Sequence, residues 1–267
     1  MNPPQALKRG ASQRRQVTCR GNAVFFVCMK NISGFLCAAV LVFPACSGAT
    51  RTETFDVSET LRELQISNSE GNVRIHGAAT EVVTVSALLE GRGTRIGQSL
   101  ADQTLSLRTI CGDGWFASCA ADYDITAPVD VVIRADAGSG NASLAGMRAD
   151  AVMISGSGDI EIASHESEAL EFNAGSGDVA GRGIAVSRME GIAGSGDVRL
   201  ELDIAPQTVS IEAGSGNITL TLPADTYELQ ATSGADEVDV QGITIERGAA
   251  RKLMLTAGSG NITIVGK

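Results

Sequence analysis

Along most of the chain apolar residues recur at every second position in short runs that stop at small polar turns. Ile160 and Ile162 flank Glu161; Val198, Leu200 and Leu202 flank Arg199 and Glu201; Ile218, Leu220 and Leu222 flank Thr219 and Thr221. Leu170 and Phe172, Val209 and Ile211, Leu253 and Leu255, and Ile262 and Ile264 keep the same spacing. Successive strand residues point to opposite faces, so a period of two predicts strands with one buried and one solvated face. Earlier in the chain strands are predicted at Thr54–Val57, Leu64–Ser67, Val73–His76, Val82–Leu89, Thr104–Ile110, Asp122–Thr126 and Asp130–Ala135. No segment has the length and spacing of an amphipathic helix.

One tetrapeptide punctuates these runs. It reads Gly138-Ser139-Gly140-Asn141, Gly156-Ser157-Gly158-Asp159, Gly175-Ser176-Gly177-Asp178, Gly194-Ser195-Gly196-Asp197, Gly214-Ser215-Gly216-Asn217 and Gly258-Ser259-Gly260-Asn261. The first spacings are 18, 19, 19 and 20 residues. A longer gap then holds the degenerate copy Thr232-Ser233-Gly234-Ala235, and a worn copy stands at Asn68–Asn72. A fixed period with two strands and one corner per repeat predicts an all-β fold, a right-handed parallel β-solenoid (β-helix) with coils of about 19 residues. Residues 50–267 are expected to form one domain, with 50–135 as irregular early coils and 136–267 as regular repeats. The corner glycines are expected to supply positive φ, and the Asx residues to bond neighbouring amides. Stacking places Asn141, Asp159, Asp178, Asp197, Asn217 and Asn261 in one vertical file. The final coil, Leu253–Val265, is expected to leave an open strand edge suited to end-to-end self-association or to a partner strand. Val152 and Ile154 depart from the alternation set by Met153 and are expected to form a patch covered by the N-terminal part.

The first 49 residues differ. Ile32 to Ala45 is an apolar run behind Met29-Lys30-Asn31, too short for the roughly 20 residues that span a bilayer, and reads as an export signal over 29–49. Residues 1–28 are either an upstream extension before a true start at Met29 or part of the leader, in which Arg14-Arg15 partly resembles a twin-arginine signal. Val42-Phe43-Pro44-Ala45-Cys46-Ser47 resembles a bacterial lipobox, which implies acylation of Cys46 and a lipid anchor. Cleavage after Ala49 is the alternative. Both send the chain to the periplasm, outer membrane or cell surface. Outside the leader and Cys46 only Cys111 and Cys119 remain, eight residues apart, and an exported chain most simply joins them as a disulfide. Their loop holds Trp115 and Phe116, either a contact surface or a cover folded onto the solenoid.

Charge and chemistry narrow the function. The leader carries six basic residues and no acid, leaving 15 basic against 31 acidic groups from Cys46 onward. A body that acidic is a poor partner for a phosphate backbone, so nucleic-acid binding is excluded. There are two histidines; His165, in the polar run Ser164–Glu168, reads as a solvated loop residue and His76 as a strand end. Gly175–Ala180 loosely fits a dinucleotide fingerprint but is a recurring corner. No catalytic constellation, cofactor or metal site is expected. Two alternatives stand beside a non-enzymatic reading: a carbohydrate-active β-helix enzyme using Asp159, Asp178 and Asp197, and a calcium-dependent repeat module. The calcium reading is weakened because one file of carboxylates offers few of the six to eight oxygens the ion takes.

The repeated Asn-Val-Arg-Ile, Gly-Asp-Ile-Glu-Ile and Gly-Asp-Val-Arg-Leu segments, with Tyr123–Pro128 before them, resemble the bacterial family of adhesin-like exported domains with β-strand repeats, the head-domain class of auto-transporter-like adhesins. The resemblance covers roughly residues 52–267. It implies a binding, adhesin-like or structural module at the cell envelope, with an envelope protein or glycan as partner, and implies no activity.

Overall fold

The computed structural model describes residues 14–19, 23–28, 50–112, 119–235 and 237–267. The export signal with Cys46, and the loop residues Trp115 and Phe116, lie outside the described residues. Among the described residues there are 22 strands and no helix. In chain order they are β1 (Arg14–Cys19), β2 (Ala23–Cys28), β3 (Thr50–Val57), β4 (Glu63–Ser67), β5 (Val73–Ala78), β6 (Val83–Glu90), β7 (Arg95–Ala101), β8 (Thr104–Ile110), β9 (Ala120–Pro128), β10 (Val132–Asp136) and β11 (Ala142–Ala145). They continue as β12 (Ala151–Ser155), β13 (Ile160–Ala174), β14 (Val179–Ala193), β15 (Val198–Leu202), β16 (Thr208–Ala213), β17 (Ile218–Leu222), β18 (Thr226–Ser233), β19 (Val238–Gln241), β20 (Thr244–Ile245), β21 (Arg251–Ala257) and β22 (Ile262–Gly266).

The strands stack into two parallel columns joined through the glycine corners. One column runs β8, β4, β10, β12, the end of β13, the end of β14, β16, β21, β18. The other runs β9, β5, β11, the start of β13, the start of β14, β15, β17, β22, β19. Inward residues stay in register from rung to rung: Leu170 lies beside Met189 and Ile160 beside Val179. Both columns send such files into one core, so each rung buries the apolar half of its alternation against the other column and against its neighbours.

Rung order departs from chain order at both ends. β4–β5 lies between β8–β9 and β10–β11. β21–β22 lies between β16–β17 and β18–β19. The expectation of an open edge on the final coil is therefore corrected, because both edges of that coil are hydrogen-bonded. The degenerate Thr232–Ala235 copy belongs to the outermost rung instead, and β20 pairs with the start of its strand. Residues 50–135, expected as irregular coils, contribute two rungs and an antiparallel end. β6 pairs antiparallel with β9 and with β3, and β3 with β1, which pairs with β2. β7 forms a hairpin on β8 through Asp102 and Gln103, both at positive φ, the conformation a two-residue primed turn demands. Reading Arg95–Ala101 as a strand fails from sequence because only Ile96 and Leu100 carry the alternation.

Candidate functional site

The corners show why Asx follows each Gly-Ser-Gly. The amide of Asn141 donates to Asn72 Oδ1 at 3.0 Å, that of Asp159 to Asn141 Oδ1 at 2.9 Å, and that of Asp178 to Asp159 Oδ1 at 2.9 Å. Asp197 bonds Asp178 in the same way, Asn217 bonds Asp197, and Asn261 bonds Asn217, at 2.8 to 2.9 Å. Asn72 in turn donates to Asp122 Oδ1 at 2.7 Å. The structure thus brings all six corner residues into one ladder and adds Asn72 and Asp122. Asp122 escapes sequence reading because no glycine corner precedes it.

Only an acceptor oxygen is needed, so Asn and Asp serve alike. The Asn217 amide, with Arg199 as a further partner, holds the Asp197 carboxyl below the usual carboxylate range. Replacing Asp178 with Ala removes the acceptor for Asp197 and is expected to lower stability by about 1 kcal/mol, the amide being open to water. Asp178→Asn is expected to change stability by much less, and urea denaturation of the two variants checks the difference.

In the six Gly-Ser-Gly corners only Gly138 has positive φ, joined by Gly71 of the worn copy, so the expected reason for glycine is corrected. The constraint is closeness between rungs. A Cβ on Gly158, Gly177 or Gly196 would lie 2.3, 2.0 or 2.0 Å from the carbonyl oxygen of the glycine one rung away.

Cys111, after β8, and Cys119, before β9, are joined by a disulfide with their Cα atoms 5.4 Å apart. By closing a short loop the bond limits the unfolded chain, and reduction is expected to cost about 2.5 kcal/mol, read as a fall in melting temperature with reductant.

His165 lies in β13 where the strand turns between columns, opposite Ile184 of β14. It is 0% exposed, which corrects the solvated-loop reading. Its Nε2 is 2.9 Å from Ser167 Oγ, and its Nδ1 has no hydrogen-bond partner. Burial pushes its pKa down to about 4, against the opposing charge of Asp150.

The outward side of the first column is a candidate contact surface. Val152 and Ile154 point outward from β12; Val152 is half-buried, whereas Ile154, expected under the N-terminal part, is 37% exposed, as are Ile192 on β14 at 50% and Met254 on β21 at 36%. A trough of about 880 Å³ begins here, lined by Gln65, Arg108, Ile110, Arg134, Val152 and Ile154 among others. A second shallow depression continues over Glu171, Glu190, Ile192, Glu212 and Met254. Three carboxylates thus edge a band of aliphatic surface held on a rigid ladder. Among the described residues no group of three His, Cys, Asp or Glu side chains is placed to hold a metal. The Oδ1 atoms of Asp159, Asp178 and Asp197 are already taken by amides.

Stacked parallel rungs, a laddered corner and a broad outer sheet face define the class: an all-β, solenoid-like domain built from β-strand repeats. Within that class the chain belongs to the Toastrack DUF4097 family, which matches residues 57–265. Solved structures are similar to the chain at low sequence identity. A "putative adhesin" from Bacteroides fragilis NCTC 9343 is 15% identical, with a TM-score of 0.50 over 81% of this chain and 97% of that one. A "putative adhesin" from Parabacteroides distasonis ATCC 8503 is 9% identical, with a TM-score of 0.48 over 81% and 97%. A "putative lipid binding protein" from the same organism is 11% identical, with a TM-score of 0.42 over 80% and 96%. No curated protein matches the chain.

Proposed function

We propose that the protein is an exported, non-enzymatic binding or structural module of the cell envelope, its rungs wound right-handed at about 19 residues each, the hand that parallel crossovers favour. One observation carries the reading: an outer sheet face on which Ile154, Ile192 and Met254 stay exposed although the core is filled. Exposed aliphatic side chains grouped on a rigid face mark interaction surfaces. The partner is an envelope protein or a glycan. The anchor is an acylated Cys46, with Trp115 and Phe116 as a second contact region.

Two measurements test this. The intact mass of the protein from host membranes is expected to correspond to a chain beginning at acylated Cys46; a soluble chain beginning at Thr50 would remove the anchor. The purified protein is expected to be retained on isolated envelope fragments, and Ile192→Asp to reduce that retention. Retention that is absent, or untouched by Ile192→Asp, contradicts the reading of this face.

A further inference from the structure

We propose that the outer face of the first column is self-complementary, and that a second copy of this chain docks on it about a twofold axis running along β12. The inference rests on reading this face as a contact surface.

Take β12 as the centre. One strand outward, β10 then meets β13 of the second copy; two strands outward, β4 meets its β14; three strands outward, β8 meets its β16. The registers fix which side chains share a file. Arg134 and Glu171 both neighbour Val152, so Arg134 faces Glu171 of the second copy. Asp136 and Asn173 both neighbour Ile154, so these two face each other. Two strands out, Gln65 meets Glu190. Three strands out, Arg108 meets Glu212. Val152 and Ile154 meet their own copies at the centre. Every carboxylate of the acidic half thus faces a guanidinium or an amide, and each pairing occurs twice, as an isologous interface requires.

In the isolated chain the acidic half carries like charges side by side, and the groups opposite it are only partly engaged. Glu171 and Glu190 are register neighbours, and like charges side by side on a sheet repel. Arg134 holds Glu63 through Nε at 2.7 Å, which leaves its terminal nitrogens for another carboxylate. Gln65 donates to Glu63 at 3.0 Å and accepts from Ser106 at 3.3 Å. The Asp136 carboxylate accepts from the Gly138 amide at 2.9 Å. Seven strands about 4.8 Å apart and five residues of about 3.3 Å each make a footprint of roughly 30 by 17 Å. That is below the approximately 800 Å² per partner of a stable complex, so the dimer forms and dissociates with concentration.

Sedimentation velocity of the full-length protein from low to high concentration tests this. The wild-type protein is expected to shift from monomer to dimer. Arg108→Glu and Glu212→Arg are each expected to weaken association about tenfold, and the double variant Arg108→Glu/Glu212→Arg to recover it. Ile154→Asp removes the apolar centre and is expected to abolish the shift, with an unchanged melting curve showing that it folds. A wild-type protein that stays monomeric, a dimer indifferent to Ile154→Asp, or a double variant no stronger than the single ones would each overturn the proposal. End-to-end association fails the same test, because it is blind to Ile154. A monomer whose envelope retention still falls with Ile192→Asp overturns the self-docking and leaves the face as a site for another partner.

Discussion

Gly177→Ala is expected to destabilise the protein by about 4 kcal/mol or more, near the upper limit for a single substitution, although it adds one methyl group near the surface. Its Cβ would stand 2.0 Å from the carbonyl oxygen of Gly158, 2.4 Å from the carbonyl carbon and 2.8 Å from the amide nitrogen of Asp159. All three are backbone atoms, so no side chain can swing aside. The rungs would have to part by more than 1 Å (roughly the distance to ordinary van der Waals contact), which would break the bond from the Asp178 amide to Asp159. The flanking strands, in register on both sides of the corner, oppose that movement. Ser176→Ala in the same corner is the control: its side chain is exposed, and an effect within about 0.5 kcal/mol is expected. Chemical denaturation of both variants checks this, and a Gly177→Ala protein within 1 kcal/mol (about fivefold in the folding equilibrium) of wild type would contradict the close-approach explanation.

The second large effect is a loss of stability on mild acidification. His165 is neutral in the folded protein, with its pKa pushed down to about 4 from an ordinary 6.5. Above pH 6.5 neither folded nor unfolded chain binds the proton, and the full stability is present. Between pH 6.5 and pH 4 the unfolded chain takes up a proton that the folded chain refuses, so stability falls by up to 1.36 kcal/mol per pH unit, about 3 kcal/mol in all. The other histidine, His76, is exposed. Carboxylates with lowered pKa, such as Glu63 and Asp197, add their own loss as the pH nears and drops below the ordinary carboxylate range, so the upper part of the window, from pH 6.5 to about 5.5, isolates His165. His165→Gln is expected to flatten the pH dependence there, whatever its overall stability. A wild-type protein equally stable at pH 6.5 and 5.5, or a variant with the same slope, would contradict this.

The strands and corners were legible from sequence because they depend on short-range rules: alternation for a half-buried strand, and a repeated tetrapeptide for each bend. The corner file was legible as well, since equal spacing places Asp159, Asp178 and Asp197 above one another. Three things were not. A period shows that rungs are alike but not which rung lies beside which, so the placing of β21–β22 inside β18–β19 and of β4–β5 inside β8–β9 left no trace in the spacing. The burial of His165 was hidden because Ser164, Glu166 and Glu168 around it are polar and only the histidine turns inward. The reason for the corner glycines was misread because positive φ is the commoner cause, whereas here the cause is a neighbouring rung that only the assembled stack reveals. The outer face was only half legible: Val152 and Ile154 stood out as apolar at outward positions, but Arg108, Glu190 and Glu212 joined the same face only once the register was known.

The interrupted rung order is the central structural claim, since both the Asx ladder and the charge pattern of the outer face depend on it. Cysteine cross-linking on the second column tests it directly. Arg74 of β5 lies beside Ser143 of β11 on one side and beside Asp124 of β9 on the other. Adjacent rungs are about 4.8 Å apart, within disulfide reach, and alternate rungs are not. Arg74→Cys with Ser143→Cys is expected to cross-link under mild oxidation, while Asp124→Cys with Ser143→Cys is not. The reverse result, a link between positions 124 and 143 and none between 74 and 143, would show that the rungs follow chain order and contradict the stack described above.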